Sequence, residues 1–581
     1  MSKSESWSAK LTRTMNRIQA RRSALARPAT GFVSQPEPRT IGTFARGRQL
    51  TAGNFLFAGY LVEAPETGIW DLPMPDLSFE EELQGFGWLD DLASVADGPA
   101  RQRAQTWLGE WIARYGGGHG PGWTPDLTGR RLIRWINHAI FLLNGQDRAM
   151  SNAYFRSLAQ QTIFLSRRWK AASSGLPRFE ALTGLIYAGL ALTGMERFVN
   201  TAMQALAKEC AAKIDEEGGI PTRNPEELLE VFTLLTWAAS ALAGAGRIAA
   251  KEHIAAIERI APTLRALRHS DGGLARFHGG GRGLVGRLDH ALAASGVRAG
   301  ANTGLSMGYV RLSTGRTSVI TDASAPPAGR SSYNGHASTL AFELTSGRRP
   351  MIVNCGSGIS FGEAWRRAGR ATPSHSTLGI DGFSSARLGL GRLIGGHRRE
   401  LLTDVPKKIT VQQAAGADGI SFHGSHSGYV STHGLTHARE LVLSIDGRSL
   451  SGGDTLAVLD DKCKKQFDRM MNRAKLQGID FSVRFHLHPD VDAALDLGGT
   501  AVSLVLKSGE IWVFRHDGIA KMLLEPSVYL EKNRLKPRAT KQIVLSGRAM
   551  EYAVRVGWTL AKAQDTPLGI RDLEQDDIPT L

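Results

Sequence analysis

Tyr333-Asn-Gly-His-Ala-Ser-Thr-Leu-Ala-Phe-Glu-Leu344, with Ile352-Val-Asn-Cys-Gly-Ser-Gly358 and Ser374-His-Ser-Thr-Leu378 behind it, decides the fold. Over 339–344 apolar residues alternate with small or polar ones, the period of two that gives a strand one buried face. Alternating or β-branched runs recur at 439–445, 481–487 and 501–506, and Asp446-Gly447 and Asp517-Gly518 supply turns between such runs. Upstream, 271–283 is a glycine-rich connection, and before it the period is 3.6. Helices are predicted over 100–114, 129–143, 179–193, 197–213 and 225–242. The last has the most complete start: Asn224 as cap, Pro225 in the first helical position and Glu227 as capping-box partner. Helices first and strands second predict an all-α unit packed on an antiparallel β-sandwich, not an alternating parallel fold. The expected boundaries are a basic arm (1–50), a helical domain (51–285), a linker (286–300) and the sandwich (301–581).

The 581 residues, 22% charged and 42% hydrophobic, exceed what one core accommodates and exclude wholesale disorder. Three cysteines, Cys210, Cys355 and Cys463, exclude a disulfide scaffold and a multi-cysteine zinc site. No stretch approaches roughly 20 uncharged apolar residues, so a membrane-embedded chain is not expected. Net charge is +15, and residues 1–50 hold ten Lys/Arg against Glu5 and Glu37, so +8 of it lies in the arm. The remainder is too diffuse to predict a nucleic-acid partner. In the arm Trp7, Leu11, Met15, Ile18 and Leu25 recur near helical spacing, with Lys10, Arg13, Arg17, Arg21 and Arg22 between them. Such a segment over 1–27 suits peripheral contact with an anionic membrane; the plainer reading is a loose solvated arm. Arg13 and Arg17 interrupt every candidate secretory core, so a cytoplasmic location is expected, with envelope association as the alternative.

The motifs of 333–378 resemble the heparinase II/III family in order and spacing. Supporting matches are Trp123-Thr-Pro-Asp-Leu-Thr-Gly-Arg-Arg-Leu-Ile-Arg-Trp135, Ala188-Gly-Leu-Ala-Leu192, His426-Ser-Gly-Tyr429 and His437-Ala-Arg439. The resemblance implies an N-terminal incomplete α/α toroid followed by a C-terminal antiparallel β-sandwich, with polysaccharide lyase chemistry in the cleft between them. β-Elimination at a uronic acid needs a neutraliser for the carboxylate, a base for the C5 proton and an acid for the leaving oxygen. The family's residues for these tasks do not recur here. Leu176-Pro177 stands where an Asn-His pair is expected, Glu227 where a tyrosine is, and Asn334 where a histidine is. The family's metal site of two histidines and an acid maps onto His336, His375 and Asn354. Because asparagine offers only a neutral carbonyl, no cofactor is expected, zinc being the alternative.

Each candidate has a functional and a plainer reading. His336 and His375 are catalytic or metal-binding, or are core-edge histidines satisfied by one another or by Asn354. Glu227 is a cleft acid or base, or only a capping residue. Arg223 faces the substrate, or braces the turn before its helix. Tyr429 is a proton donor, or a packed strand tyrosine. The loop 362–370 offers Trp365, Arg366 and Arg370 for a sugar ring and its anionic groups, with Asn334 beside them. The expected function is therefore a lyase for uronate-containing acidic polysaccharide or oligosaccharide. The alternatives are a non-catalytic polysaccharide-binding or envelope-associated protein, and a glycoside hydrolase using the same cleft.

Overall fold

The computed structural model describes residues 7–25, 27–34, 38–298, 300, 304–394, 397–532 and 534–563. The arm's first six residues and the last eighteen of the predicted sandwich domain lie outside that set.

The N-terminal part is an incomplete α/α toroid. Its predicted helices are present as Gly98–Tyr115, Pro125–Asn137, Leu176–Ala191, Val199–Lys213 and Pro225–Gly244, and Arg148–Arg168 lies among them. The predicted 129–143 helix is broken at His138, beyond which only the short Ala139–Leu143 continues. Trp70, Phe86, Trp88, Trp107, Trp111, Trp123 and Trp135 form one aromatic core, buried to within a few per cent. In their midst the fully buried Arg131 guanidinium lies 4.2 Å over Trp111 and donates to Gln161 Oε1 and to the carbonyls of Gln84 and Gly122. A buried charge survives there because carbonyls and an aromatic face replace its water. Helices Pro125–Asn137 and Leu176–Ala191 meet backbone to backbone at Gly129 and Gly184, where a Cβ on Gly184 would come within 2.5 Å of Gly129 Cα. Pro225–Gly244 has the length and mean hydropathy to cross a membrane, but it carries Glu226, Glu227 and Glu230 and most of it is buried as a core helix.

Two expectations about the ends of this domain are corrected. The predicted linker 286–300 contains the helix Arg287–Ser295, held by Arg287 against Glu230. The arm is not loose: Trp7–Ser23 is a helix docked on Arg148–Arg168, with Arg168 Nε donating to Asn16 Oδ1 at 2.7 Å and Gln160 to the Ala20 carbonyl. The docked face is Asn16, Ala20 and Ser23, while Trp7, Leu11, Ile18 and Leu25 are 79%, 47%, 38% and 88% exposed. The apolar stripe points to solvent.

The C-terminal part is an antiparallel β-sandwich of two eight-stranded sheets. One sheet runs Ile409–Gly416, Gly419–Tyr429, Leu435–Ser444, Ser449–Ala457, Ala553–Lys562, Ile511–His516, Ala501–Val505, Asp492–Asp496. The other runs Lys521–Tyr529, Arg538–Ala549, Ile479–Leu487, Arg349–Val353, Phe342–Ser346, Thr317–Asp322, Tyr309–Thr314, with Leu378–Ile380 also paired to Ile479–Leu487. The strand predicted at 339–344 starts later, at Phe342, because Leu340 turns the chain at φ +65°. His336 therefore lies on the loop before the strand, not in it.

The domains are joined by buried ion pairs. Glu343 accepts from His269 Nε2 at 3.2 Å and from the Arg276 backbone N–H at 3.1 Å. Arg223, itself at φ +51°, donates to the carbonyls of Met307, Ala325 and Gly308 and to Asp322 Oδ1 at 2.7 Å, while Tyr309 Oη returns a bond to the Arg223 carbonyl. Removing one partner of such a pair leaves a buried charge uncompensated. Arg223→Met should cost about 3–5 kcal/mol of stability, measured by denaturant unfolding, and Asp322→Asn in the same chain should restore part of it.

Candidate functional site

Glu227 is the predicted catalytic residue that lies at the domain junction in a partly exposed position. Asn224 Oδ1 caps its helix by accepting from the Glu226 and Glu227 N–H groups at 3.0 and 3.2 Å. Glu226 turns back to the Gly281 N–H and to Lys532 Nζ, both at 2.9 Å. The Glu227 carboxyl instead faces Thr222 and Arg399, and burial pushes it up to about 7, those two neighbours pulling the other way. The Arg399 guanidinium stacks 4.1 Å over the Tyr333 ring, and Arg366 Nη2 donates to the Tyr333 carbonyl at 2.6 Å. Burial and the nearby Glu227 raise the Tyr333 phenol above its ordinary value. Asn334 rests on Gly279 at φ +88°, where any side chain would approach its Cβ to 2.9 Å. Trp365, on the short helix Glu363–Gly369, is 36% exposed.

The other predicted site residues are bound into the structure below this surface. Arg370 donates from Nε, Nη1 and Nη2 to the carbonyls of Gly335, Glu400 and Ser332, each at 2.8 Å, so it holds the site's floor and is not free for a ligand. Arg223 is the interdomain brace. Tyr429 is fully buried with its hydroxyl on the Leu378 carbonyl, which removes it as a proton donor. His375 donates from Nδ1 to the Ala371 carbonyl at 2.8 Å, so its Nε2 accepts from His336 Nδ1 at 3.0 Å. Burial depresses both imidazoles below the usual histidine range. Asn354 Oδ1 accepts the Ser376 N–H, and among the described residues its Nδ2 has no partner. Two imidazoles joined to each other and an amide oxygen already used do not fit a zinc ligand set, which needs converging lone pairs. Among the described residues no group of three or more His, Cys, Asp or Glu is placed to hold a metal ion.

Sequence reasoning missed His278, Asp322 and Arg399 as parts of this region. His278 Nδ1 accepts the His336 backbone N–H at 3.1 Å, and its Nε2 lies 3.5 Å from Asp322 Oδ2, so a buried polar line runs from the interdomain brace to the motif histidines. A histidine inside a glycine run at a domain junction was the available signal. Arg399 sits in a basic stretch where spacing singles out no residue. His426 and His437 meet across paired strands: His437 links His426 (3.1 Å) to Asp454 (2.8 Å), and Arg439 grips Asp454 through two nitrogens. Their role is structural, since Arg439 also binds the carbonyls of Leu340 and Ser376.

What faces the junction is thus a carboxyl near neutrality, a phenol and the Arg399 guanidinium, with Arg366 tied to Glu363 and the Tyr333 carbonyl and the imidazoles beneath them. A guanidinium and a phenol so placed can pair with an anionic, hydroxyl-bearing group, and Glu227 can hold one exchangeable proton. Because the folded chain keeps that proton to a higher pH than the unfolded one, Glu227 loses the protein stability as pH rises from about 4.5 to about 7. Glu227→Gln should be more stable than the wild type by about 3 kcal/mol above that window and equal to it below, as read from thermal unfolding across pH.

The comparisons with known proteins agree with this architecture. Residues 297–559 match the model "Heparinase II/III-like, C-terminal". The chain is 30% identical over 553 residues to FtsZ-localized protein C of Caulobacter vibrioides, covering 93% of this chain and 92% of that protein. Among solved structures it superposes on heparinase III with TM-score 0.64 at 12% identity, over 95% of this chain and 91% of that one. For a mutant of the heparan sulfate lyase HepC from Pedobacter heparinus the values are 0.58, 13%, 96% and 89%. These two likenesses concern the fold alone. With its helical toroid, its two-sheet sandwich and the motif spacing of 333–378, the chain belongs to the heparinase II/III-like family.

Proposed function

We propose that this protein binds an acidic saccharide at the domain junction, as an envelope-associated member of its family working beside FtsZ, and does not carry out the elimination expected from the resemblance. One observation carries the reading: Arg223, Arg370, Tyr429, His336 and His375 are all spent on buried bonds, and Arg366 is held by Glu363 and the Tyr333 carbonyl, leaving Glu227, Tyr333 and Arg399 toward the ligand. A carboxyl in place of a phenol makes a poor partner for a uronate at the proton-transfer position, whereas the Arg399 guanidinium still suits an acidic sugar. The FtsZ association rests on the Caulobacter vibrioides relative and its printed name. Contact with the inner membrane surface rests on the helix Trp7–Ser23, which has no acidic residue, docks by its small polar face and presents Trp7, Leu11 and Ile18 outward between basic residues.

A second reading has its own support. A carboxyl held near 7 beside a phenol is a proton donor and acceptor at working pH, so hydrolysis or elimination through Glu227 is the enzymatic alternative.

Titration calorimetry with uronate-containing oligosaccharides and acidic cell-wall saccharides tests the main reading. Saturable binding that Arg399→Ala weakens, with no new absorbance from a C4=C5 double bond and no new reducing ends, is the expected result. Either product appearing, and vanishing in Glu227→Gln, moves the protein to the enzymatic alternative. Co-sedimentation should show the full chain on phosphatidylglycerol vesicles and not on phosphatidylcholine ones, with Trp7→Ser/Ile18→Ser losing most of the bound fraction. Undiminished sedimentation of that variant would remove this helix as the contact.

A further inference from the structure

At the far side of the sandwich, the helix Asp461–Arg473 connects the strands Ser449–Ala457 and Ile479–Leu487. It packs by Cys463, Phe467 and Met471, all buried. The opposite face carries Lys462, Lys465, Arg469 and Arg473, all exposed, and among the described residues none of them forms an ion pair. Along the helix an apolar patch opens. Leu476, Met550 and Tyr552 are 64%, 51% and 44% exposed. Met550 lies beside the chain that follows Leu476, since a Cβ on Gly478 would lie 2.5 Å from Met550 Sδ. The Tyr552 ring is fixed, edge-on to Phe467 at 5.5 Å, with its hydroxyl on Asp468 and the Lys464 ammonium 4.9 Å from its centroid.

We infer that this face is a docking surface for an acidic peptide segment of a partner protein, one that carries apolar side chains among its carboxylates. Charge complementarity and register argue for it. Lys465, Arg469 and Arg473 recur every four residues, about 6 Å along a helix, and alternate side chains of an extended peptide recur every 6 to 7 Å or so. Carboxylates at alternate positions can therefore meet successive cations, while an apolar side chain at the end settles on Met550 and Leu476. A peptide fits better than a lipid surface. Tyr552 is pinned here at both ring and hydroxyl, whereas the apolar groups of Trp7–Ser23 lie on a helix they do not help to dock. This inference is independent of the saccharide reading, because the two sites share no residue.

Fluorescence anisotropy on the full-length protein tests it, with a labelled peptide of alternating Asp/Glu and Leu/Ile as probe. Saturable binding that weakens as salt is raised, falls by about tenfold or more in Lys465→Glu/Arg469→Glu/Arg473→Glu, and falls several-fold in Leu476→Ser/Met550→Ser is the expected result. The changed residues are exposed, and a wild-type circular dichroism melt confirms folding of each variant. Absence of saturable binding, or equal binding by the charge-reversed variant, overturns the inference. So does charge reversal that removes phosphatidylglycerol vesicle binding while leaving peptide binding intact, or probe binding that emerges only when residues 564–581 are deleted, since the chain's own acidic end would then be the occupant.

Discussion

A single guanidinium, Arg223, sets the geometry on which the junction depends. It reaches from the turn before the helix Pro225–Gly244 into the first two strands of the sandwich, where three carbonyls and Asp322 take its protons and Tyr309 closes the loop from the other side. Five N–H donors in a rigid fork can satisfy that many acceptors at once, and a lysine could not. Because the same turn carries Asn224, Glu226 and Glu227, whatever fixes Arg223 fixes where Glu227 points. The site's carboxyl is thus placed by the sandwich although it belongs to the toroid.

Beneath the junction the polar network continues through Asp322, His278, His336 and His375. Imidazoles so deeply buried stay neutral, and a neutral imidazole satisfies both nitrogens only when one donates and the other accepts. His375 meets that condition with the Ala371 carbonyl on one side and His336 on the other. Arg370 and Arg439 bind the carbonyls of the loops on which these histidines sit. In this structure the motif histidines are held by bonds to one another and to the surrounding loops.

Bonds of this kind limit how much the sequence could tell. Periodicity located the main helices and strands because burying one face is a local demand written every 3.6 or two residues. Their ends were less legible: His138 breaks a helix and Leu340 delays a strand, both through backbone geometry that no pattern of apolarity encodes. The amphipathic arm was visible as a helix, but periodicity does not say which face docks, and the docking face proved to be Asn16, Ala20 and Ser23. At the site, residue type suggested function for Arg223, Arg370 and Tyr429, while burial and carbonyl partners, set by residues far apart in the chain, decided against it. Arg399 was unreadable for the converse reason: its importance comes only from the Tyr333 ring it covers.

On the proposed binding reading, the scaffold outlives its chemistry. A proton-transfer residue at a partly exposed surface makes few bonds to the fold, so replacing it costs little stability, and the positions equivalent to the family's tyrosine and extra histidine now hold Glu227 and Asn334. Arg223, His336 and Arg370 are bound on every side, so their loss would leave buried groups unpaired. Selection for folding alone would keep the second set and release the first. A preserved motif with a changed surface is what such a history leaves, and the direction of each side chain, toward the junction or into the floor, separates the two sets residue by residue.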